Sequence, residues 1–199
     1  MKQDQVEELL YQALETELGG EQIYLAAIAC ARNPELRDEW QQYLAETREH
    51  QRILKDVFAT IGLDPDVETP GRLVVRHKAG ALITAMEMAS TGGGPAAAEL
   101  VAAECVVEAE TKDHQNWELI GRVGDHADGD LKKSLREAYE EVGDQEAEHL
   151  FHTRGWAREL WIDSLGLEAA LPPPEEEKNV TTMIGAGRAE HQREDYIER

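Results

Sequence analysis

The stretch Val142-Gly143-Asp144-Gln145-Glu146-Ala147-Glu148-His149-Leu150-Phe151-His152 sets the strictest limit on how this chain can fold. Read as a helix, it continues an apolar stripe made by Leu135, Tyr139, Val142, Trp156 and Leu160. Glu146 and His149 fall on the same stripe, where Val or Leu would ordinarily stand. Burying an unpaired carboxylate costs on the order of several kcal/mol, so a chain keeps one there only with a partner or a cation. A Glu and a His three residues apart and both facing inward can grip one metal ion. The other helices must then be searched for the remaining ligands.

The composition says what those helices are. Phe, Trp and Tyr make up only 6% of the chain, and runs of Val, Ile and Thr are nearly absent, whereas Ala, Glu, Leu, Gln and Arg abound. These are strong helix formers, so the expected class is all-α. With 199 residues the chain can bury one sizeable core as a single domain. The formal net charge of -21 repels phosphate backbones and anionic lipid, which argues against nucleic acid or a membrane as partner. Such a surface attracts cations, although most of its charge is a solvated exterior. Cys30 and Cys105 stand far apart in apolar helical context, and no CxxC exists, so thiolates cannot build a zinc ribbon or a rubredoxin-type iron site. The N-terminal residues are polar, and no run of about 18 apolar residues occurs, so the expected location is cytoplasmic.

In chain order, a first helix is expected from about residue 3 to 31, with Leu10, Leu14, Tyr24 and Ile28 on one face and Glu17 and Glu21 among them. Gly19-Gly20 interrupts it at roughly 1–2 kcal/mol of helix propensity, which calls for a packing or functional reason. After the Asn33-Pro34 turn, a second helix from about 35 to 61 carries the stripe Trp40, Tyr43, Thr47, His50, Leu54, Val57 and Ile61. The short turn makes the two helices antiparallel, and Glu17 and His50 lie at the same height in the hairpin. Residues 63–94 read as a crossover connection with a short helix over 80–90. A third helix from 95 to about 123 buries Ala103, Val106, Val107, Trp117 and Ile120, with Glu110 in their midst, and a fourth runs from about 130 to 165. The expected bundle therefore spans residues 1–170, followed by an extended acidic tail over 171–199 that begins with Leu171-Pro172-Pro173-Pro174.

The two hairpins repeat one another. Each has a Glu seven residues before an aromatic (Glu17 and Tyr24, Glu110 and Trp117), then a short turn, then a Glu-His dipeptide (Glu49-His50, Glu148-His149). Each ends on a similar phrase, Thr60-Ile61-Gly62-Leu63 and Ser164-Leu165-Gly166-Leu167. Aligned on the histidines, Thr47 stands where the other copy has Glu146, and the nearest substitute is Glu46.

On these residues the chain resembles the ferritin-like superfamily, of the rubrerythrin and bacterioferritin kind. The resemblance covers residues 3–165 and implies an antiparallel four-helix bundle of two hairpins joined by a long crossover. It implies that Glu17 and Glu110 act as single carboxylates, that Glu146 and His149 form one Glu-x-x-His, and that His50 is the histidine of the other. Glu46 stands in for the ligand absent at Thr47, which leaves open whether two metal ions bind or one. The implied cofactor is iron or manganese, in keeping with carboxylate and imidazole donors without thiolate, and the implied co-substrate is oxygen or peroxide. His152, His114 and Asp113 are expected to support ligands, while Glu21, Glu49, Glu104 and Glu108 are rivals that a solvated surface explains equally well.

Three functions follow as expectations. One is a di-metal oxidoreductase acting on oxygen or peroxide, with a separate electron donor. Another is metal storage or sequestration by a ferritin-like oligomer. The last is a metal-free helical bundle serving as an interaction module. A homo-oligomer is expected, with a dimer favoured.

Overall fold

Capping residues written into the sequence fix where the helices begin and end. Asn33 accepts hydrogen bonds on Oδ1 from the amides of Glu35 (2.9 Å) and Leu36 (3.5 Å), and Pro34 supplies the first helical turn. The same corner is closed from a neighbouring helix, because buried Glu99 accepts from the amides of Arg32 (2.7 Å) and Asn33 (2.6 Å). Gly62 (φ 74°) and Gly166 (φ 69°) both take the left-handed conformation that ends a helix. The amides of Leu63 and Leu167 then reach back to the carbonyls of Phe58 (2.9 Å) and Ile162 (3.0 Å). The repeated closing phrase thus folds the same way twice.

The computed structural model describes residues 1–169. It consists of α1 (Gln3–Cys30), α2 (Pro34–Ile61), α3 (Pro70–Gly92), α4 (Gly94–His126) and α5 (Gly129–Ser164), with no strand among the described residues. The tail expected over 171–199 lies outside them. None of these helices is long and apolar enough to cross a membrane. Four boundaries agree with the sequence reading to within a few residues; α3 does not. It starts at Pro70 instead of Gly80 and runs for 23 residues. Thr69 caps it by accepting from the Arg72 amide (3.2 Å), with Pro70 in the first turn. The Pro- and Gly-containing stretch taken for a linker is mostly a helix start.

Side-chain bonds give the directions of packing. Glu99 at the Arg32 amide beyond the end of α1 and Asn116 at Thr16 in its middle run α1 antiparallel to α4, and Tyr43 with His152, His50 with Gln145 run α2 antiparallel to α5. Between α1 and α3 the pairs are Glu8 with Thr69, Glu15 with Arg76 and Cys30 with Ser90, so α3 travels parallel to α1. The crossover is therefore a full-length helix lying against α1 and α4, which carries the chain from the end of α2 to the opposite end of the bundle. Gly19 is the close-approach point: a Cβ there would lie 2.8 Å from the Ala79 Cβ on α3. That accounts for one of the two interior glycines.

The apolar core forms two clusters. One holds Tyr24, Trp40, Tyr43, Met86, Val106 and Trp156, and the other Leu10, Leu14, Leu54, Phe58, Trp117, Ile120 and Val142. A buried layer of carboxylates and imidazoles separates them.

Candidate metal centre

Each of the four bundle helices contributes to this layer because its polar residue holds a place in an otherwise apolar stripe. Glu17 of α1, His50 of α2, Glu110 of α4, and Glu146 and His149 of α5 are all 3% exposed or less. They form two overlapping groups, Glu17–His50–Glu146 and Glu110–Glu146–His149, and within each group one potential ligand atom per residue lies within 4.8 Å of the others. Glu146 belongs to both. Five of the six residues expected from the sequence therefore converge at mid-bundle.

The sixth, Glu46, is placed elsewhere. Its Oε2 accepts from His149 Nε2 at 2.7 Å, on the far side of the ring from the acidic groups. Partial burial would raise its carboxyl, but the bonds from His149 and Gln42 outweigh that and hold it below the usual range. Glu46 thus holds a histidine and does not join either group. Gln145, which the sequence reading passed over, does the same for the other histidine, with Oε1 2.7 Å from His50 Nε2. The two imidazoles lie 5.7 Å apart, nearly parallel, and each presents Nδ1 to the carboxylates. His50 Nδ1 is 3.0 Å from Glu146 Oε1 and 3.4 Å from Glu17 Oε1. His149 Nδ1 is 3.7 Å from both Glu110 Oε2 and Glu146 Oε1.

Close as they are, these groups satisfy one another only in part, as ion pairs without good hydrogen-bond geometry. His50 Nδ1, His149 Nδ1 and the Oε2 atoms of Glu17, Glu110 and Glu146 are buried and have no hydrogen bond of acceptable geometry. Buried polar atoms are ordinarily bonded, so five such atoms on two overlapping groups call for a partner beyond the groups themselves. Among the described residues no Lys or Arg forms an ion pair with Glu17, Glu110 or Glu146.

In the metal-free protein, protons do part of that work. Burial opposes charge on His50 and His149, but the acidic neighbours prevail and lift their pKa values to about 11 and about 10. Burial pushes Glu146 up to about 7, against the pull of His50. Asp113, one turn beyond Glu110, is also buried, with Oδ1 unbonded. Burial and then the charges of Glu17, Glu146 and Glu110 raise its pKa well above the carboxylate range. Expected in a supporting role, Asp113 lies one turn along α4 from Glu110 and within reach of the charges of the layer, though in neither ligand group.

The remaining expected residues lie outside. His152 sits in the apolar layer above, 2.6 Å through Nδ1 from the Tyr43 hydroxyl, which also donates to Glu39 (3.1 Å). Tyr43 in turn packs its ring on His149, with centroids 4.2 Å apart. His114 faces Glu118 (3.9 Å) and Phe151. Glu21 pairs with Arg48 and Gln51, Glu49 with Arg52, and Glu104 with Trp161, while Glu108 is exposed. Cys105 is buried, and burial pushes its thiol up to about 11, as suits a packing residue.

Comparison of the chain with protein-family models, with curated proteins and with solved structures found no match. The class that the fold and site define is an all-α helical bundle whose core holds clusters of carboxylate and imidazole groups compatible with a metal ion.

Proposed function

We propose that this protein is a di-metal carboxylate–imidazole protein of ferritin-like topology, with iron or manganese as cofactor and oxygen or peroxide as co-substrate. The observation that carries the cation reading is the set of five buried, unbonded ligand atoms on Glu17, His50, Glu110, Glu146 and His149. Two groups sharing Glu146 favour two ions over one. Oxygen and imidazole donors without thiolate suit iron or manganese better than structural zinc. Bound there, either metal would supply a redox couple able to exchange electrons with oxygen or peroxide.

The chain's own residues prepare the site. Glu46 and Gln145 accept from the Nε2 atoms and so turn each Nδ1 inward. The Trp117 indole N–H donates to Glu17 Oε1 at 2.7 Å and fixes that carboxylate. The two apolar clusters keep bulk water from the layer. A metal-free bundle would leave four buried carboxyls facing two imidazoles, with neutrality reached only by protonating Glu146 and Asp113.

The test is metal analysis of protein purified without chelator, beside the double variant Glu146→Ala with His149→Ala. The expected result is up to two equivalents of iron or manganese in the wild type and loss of metal in the variant. Unchanged metal content in the variant would defeat the assignment. Peroxide consumption by the iron- and manganese-loaded forms then tests the redox activity separately.

A further inference from the structure

Each histidine is gripped from behind by the facing helix, and the two grips differ. His149 Nε2 donates to the carboxylate of Glu46, whereas His50 Nε2 donates to the amide oxygen of Gln145, both at 2.7 Å. Glu46 and Gln145 hold matching places, each four residues before the histidine of its own helix. The duplication that makes α2 and α5 alike has therefore placed a charge on one side and a neutral group on the other. A hydrogen bond to an ionised acceptor is about twice as strong as a neutral one. It also leaves more electron density on the ring, so Nδ1 of His149 is the better metal donor.

A second asymmetry points the same way. Glu17 Oε1 accepts the Trp117 indole N–H, which draws off part of its charge. At the matching place on the other side stands Tyr24, whose hydroxyl lies beside Glu110 but makes no hydrogen bond of full geometry, a weaker contact than the 2.7 Å indole bond. Glu110 thus keeps more of its charge for a cation than Glu17 does. Glu146 is common to both groups and favours neither.

We infer that the two cation positions are unequal and fill in order. Glu110–Glu146–His149 takes the first ion and holds it more tightly, and Glu17–Glu146–His50 takes the second. Glu46 is the positioning residue that sets this order, acting through His149, and Gln145 is its weaker counterpart. The inference rests on the cation reading above and adds which half of the centre binds first. Loss of an outer partner of this kind changes metal affinity by about 10- to 100-fold, so the two steps should be separable.

The experiment titrates the full-length protein, stripped by chelator, with Mn2+ under calorimetry. The wild type should bind in two steps, the first at least about tenfold tighter. In Glu46→Gln the first step should weaken by about 10- to 100-fold while the second stays within about threefold, so that the steps merge. In Gln145→Glu the second step should tighten. Crystals grown with one equivalent of Mn2+ should show the anomalous peak beside His149 Nδ1, a readout that holds even if a variant folds poorly. Equal steps in the wild type, a first peak beside His50, or a Glu46→Gln effect shared by both steps would overturn the order while leaving the cation reading intact. No Mn2+ binding by the wild type would overturn both.

Discussion

Trp117 and Glu17 form the bond on which the balance of the centre can be tested one side chain at a time. The indole gives the Glu17 carboxylate its one hydrogen bond of full geometry among the described residues, at 2.7 Å, beside a longer 3.4 Å contact from His50 Nδ1. Trp117→Phe should keep most of the ring volume yet leave a fully buried carboxylate with only the longer His50 contact. The expected cost is about 2–4 kcal/mol in the metal-stripped protein, from the unbonded charge and the small void. A cation beside Glu17 would replace the lost donor, so Mn2+ should narrow the stability gap between variant and wild type. Thermal denaturation of both proteins, stripped and Mn2+-loaded, reads this directly. A gap of the same size in the two forms would mean that Glu17 meets no cation.

At the scale of elements, the informative contact is the docking of α3. Buried Arg72 bonds the Glu15 carboxylate from Nε (2.9 Å) and from Nη2 (2.9 Å), and its Nη1 bonds the carbonyls of Pro65 (2.6 Å) and Val67 (2.8 Å). Half-exposed Arg76 adds two further bonds to Glu15. Burial alone would raise the Glu15 carboxyl, but the two guanidinium groups outweigh it and hold the pKa below the ordinary 4.5. A group depressed on folding contributes stability above its unfolded pKa and loses it as pH falls through the folded one. The α3 contact should therefore be intact at neutral pH and weaken only below about pH 4.5. Glu15→Gln should cost about 2–3 kcal/mol at pH 7, less than a wholly buried pair because Arg76 is partly in water, and progressively less as pH drops below 4.5. Hydrogen exchange at pH 7 should show α3 opening more than α2 or α5 in that variant. The paired glycines of α1 give a second contrast, Gly19 facing Ala79 of α3 and Gly20 facing Thr47 of α2. Gly19→Ala must push α3 away from its 2.8 Å approach and should destabilise by about 1–2 kcal/mol, whereas the Cβ of Gly20→Ala meets Thr47 Cγ2 at an ordinary 3.6 Å. Gly20→Ala should stabilise by up to about 1 kcal/mol through helix propensity. Equal denaturation midpoints for the two would refute this account of Gly19.

How far the sequence could be read also depends on the element. Where a helix faces one neighbour set, as α2 does with Trp40, Tyr43, His50, Leu54 and Val57 all buried, the period of the stripe places it and its polar exceptions directly. The stripe of α3 is fainter. Only Arg72, Val75 and Met86 are buried, Ala79, Leu82 and Ile83 pack half-buried between them, and Leu73, Val74 and Met88 are exposed, so apolar residues fall on both faces and blur the inner one. Its true signal was the Thr69-Pro70 cap, which is easily taken for a turn. Tyr139 misled in a milder way: it is 37% exposed because its ring lies over Gly121 and Gly143 at the bundle edge. Within the site, the facing-in residues were legible from spacing, but the pairing of Glu46 with His149 and of Gln145 with His50 was not. Those bonds join residues about a hundred positions apart, and only the register of α2 against α5 decides them.

For the whole molecule, a formal charge of -21 makes any cation stabilising to some degree, so specific binding must be separated from general screening. Monovalent salt relieves repulsion among exposed carboxylates over a Debye length of about 10 Å at 0.1 M and needs no particular residue. A cation seated in the buried layer acts differently, by mass action on the folded state alone. At a free Mn2+ concentration a hundredfold above the dissociation constant it should add about 2.7 kcal/mol, which for a chain of this size is a rise in Tm of roughly 5–10 °C. Chelator should reverse the rise, and 0.5 M NaCl should not reproduce its saturation. Glu146→Gln provides the control, since it removes one buried carboxyl of the 41 acidic residues and leaves the outer surface as it was. That variant should keep the full response to NaCl and lose most of the response to Mn2+. If both responses survive together, the cations act on the surface and the buried layer is only a proton-balanced part of the core.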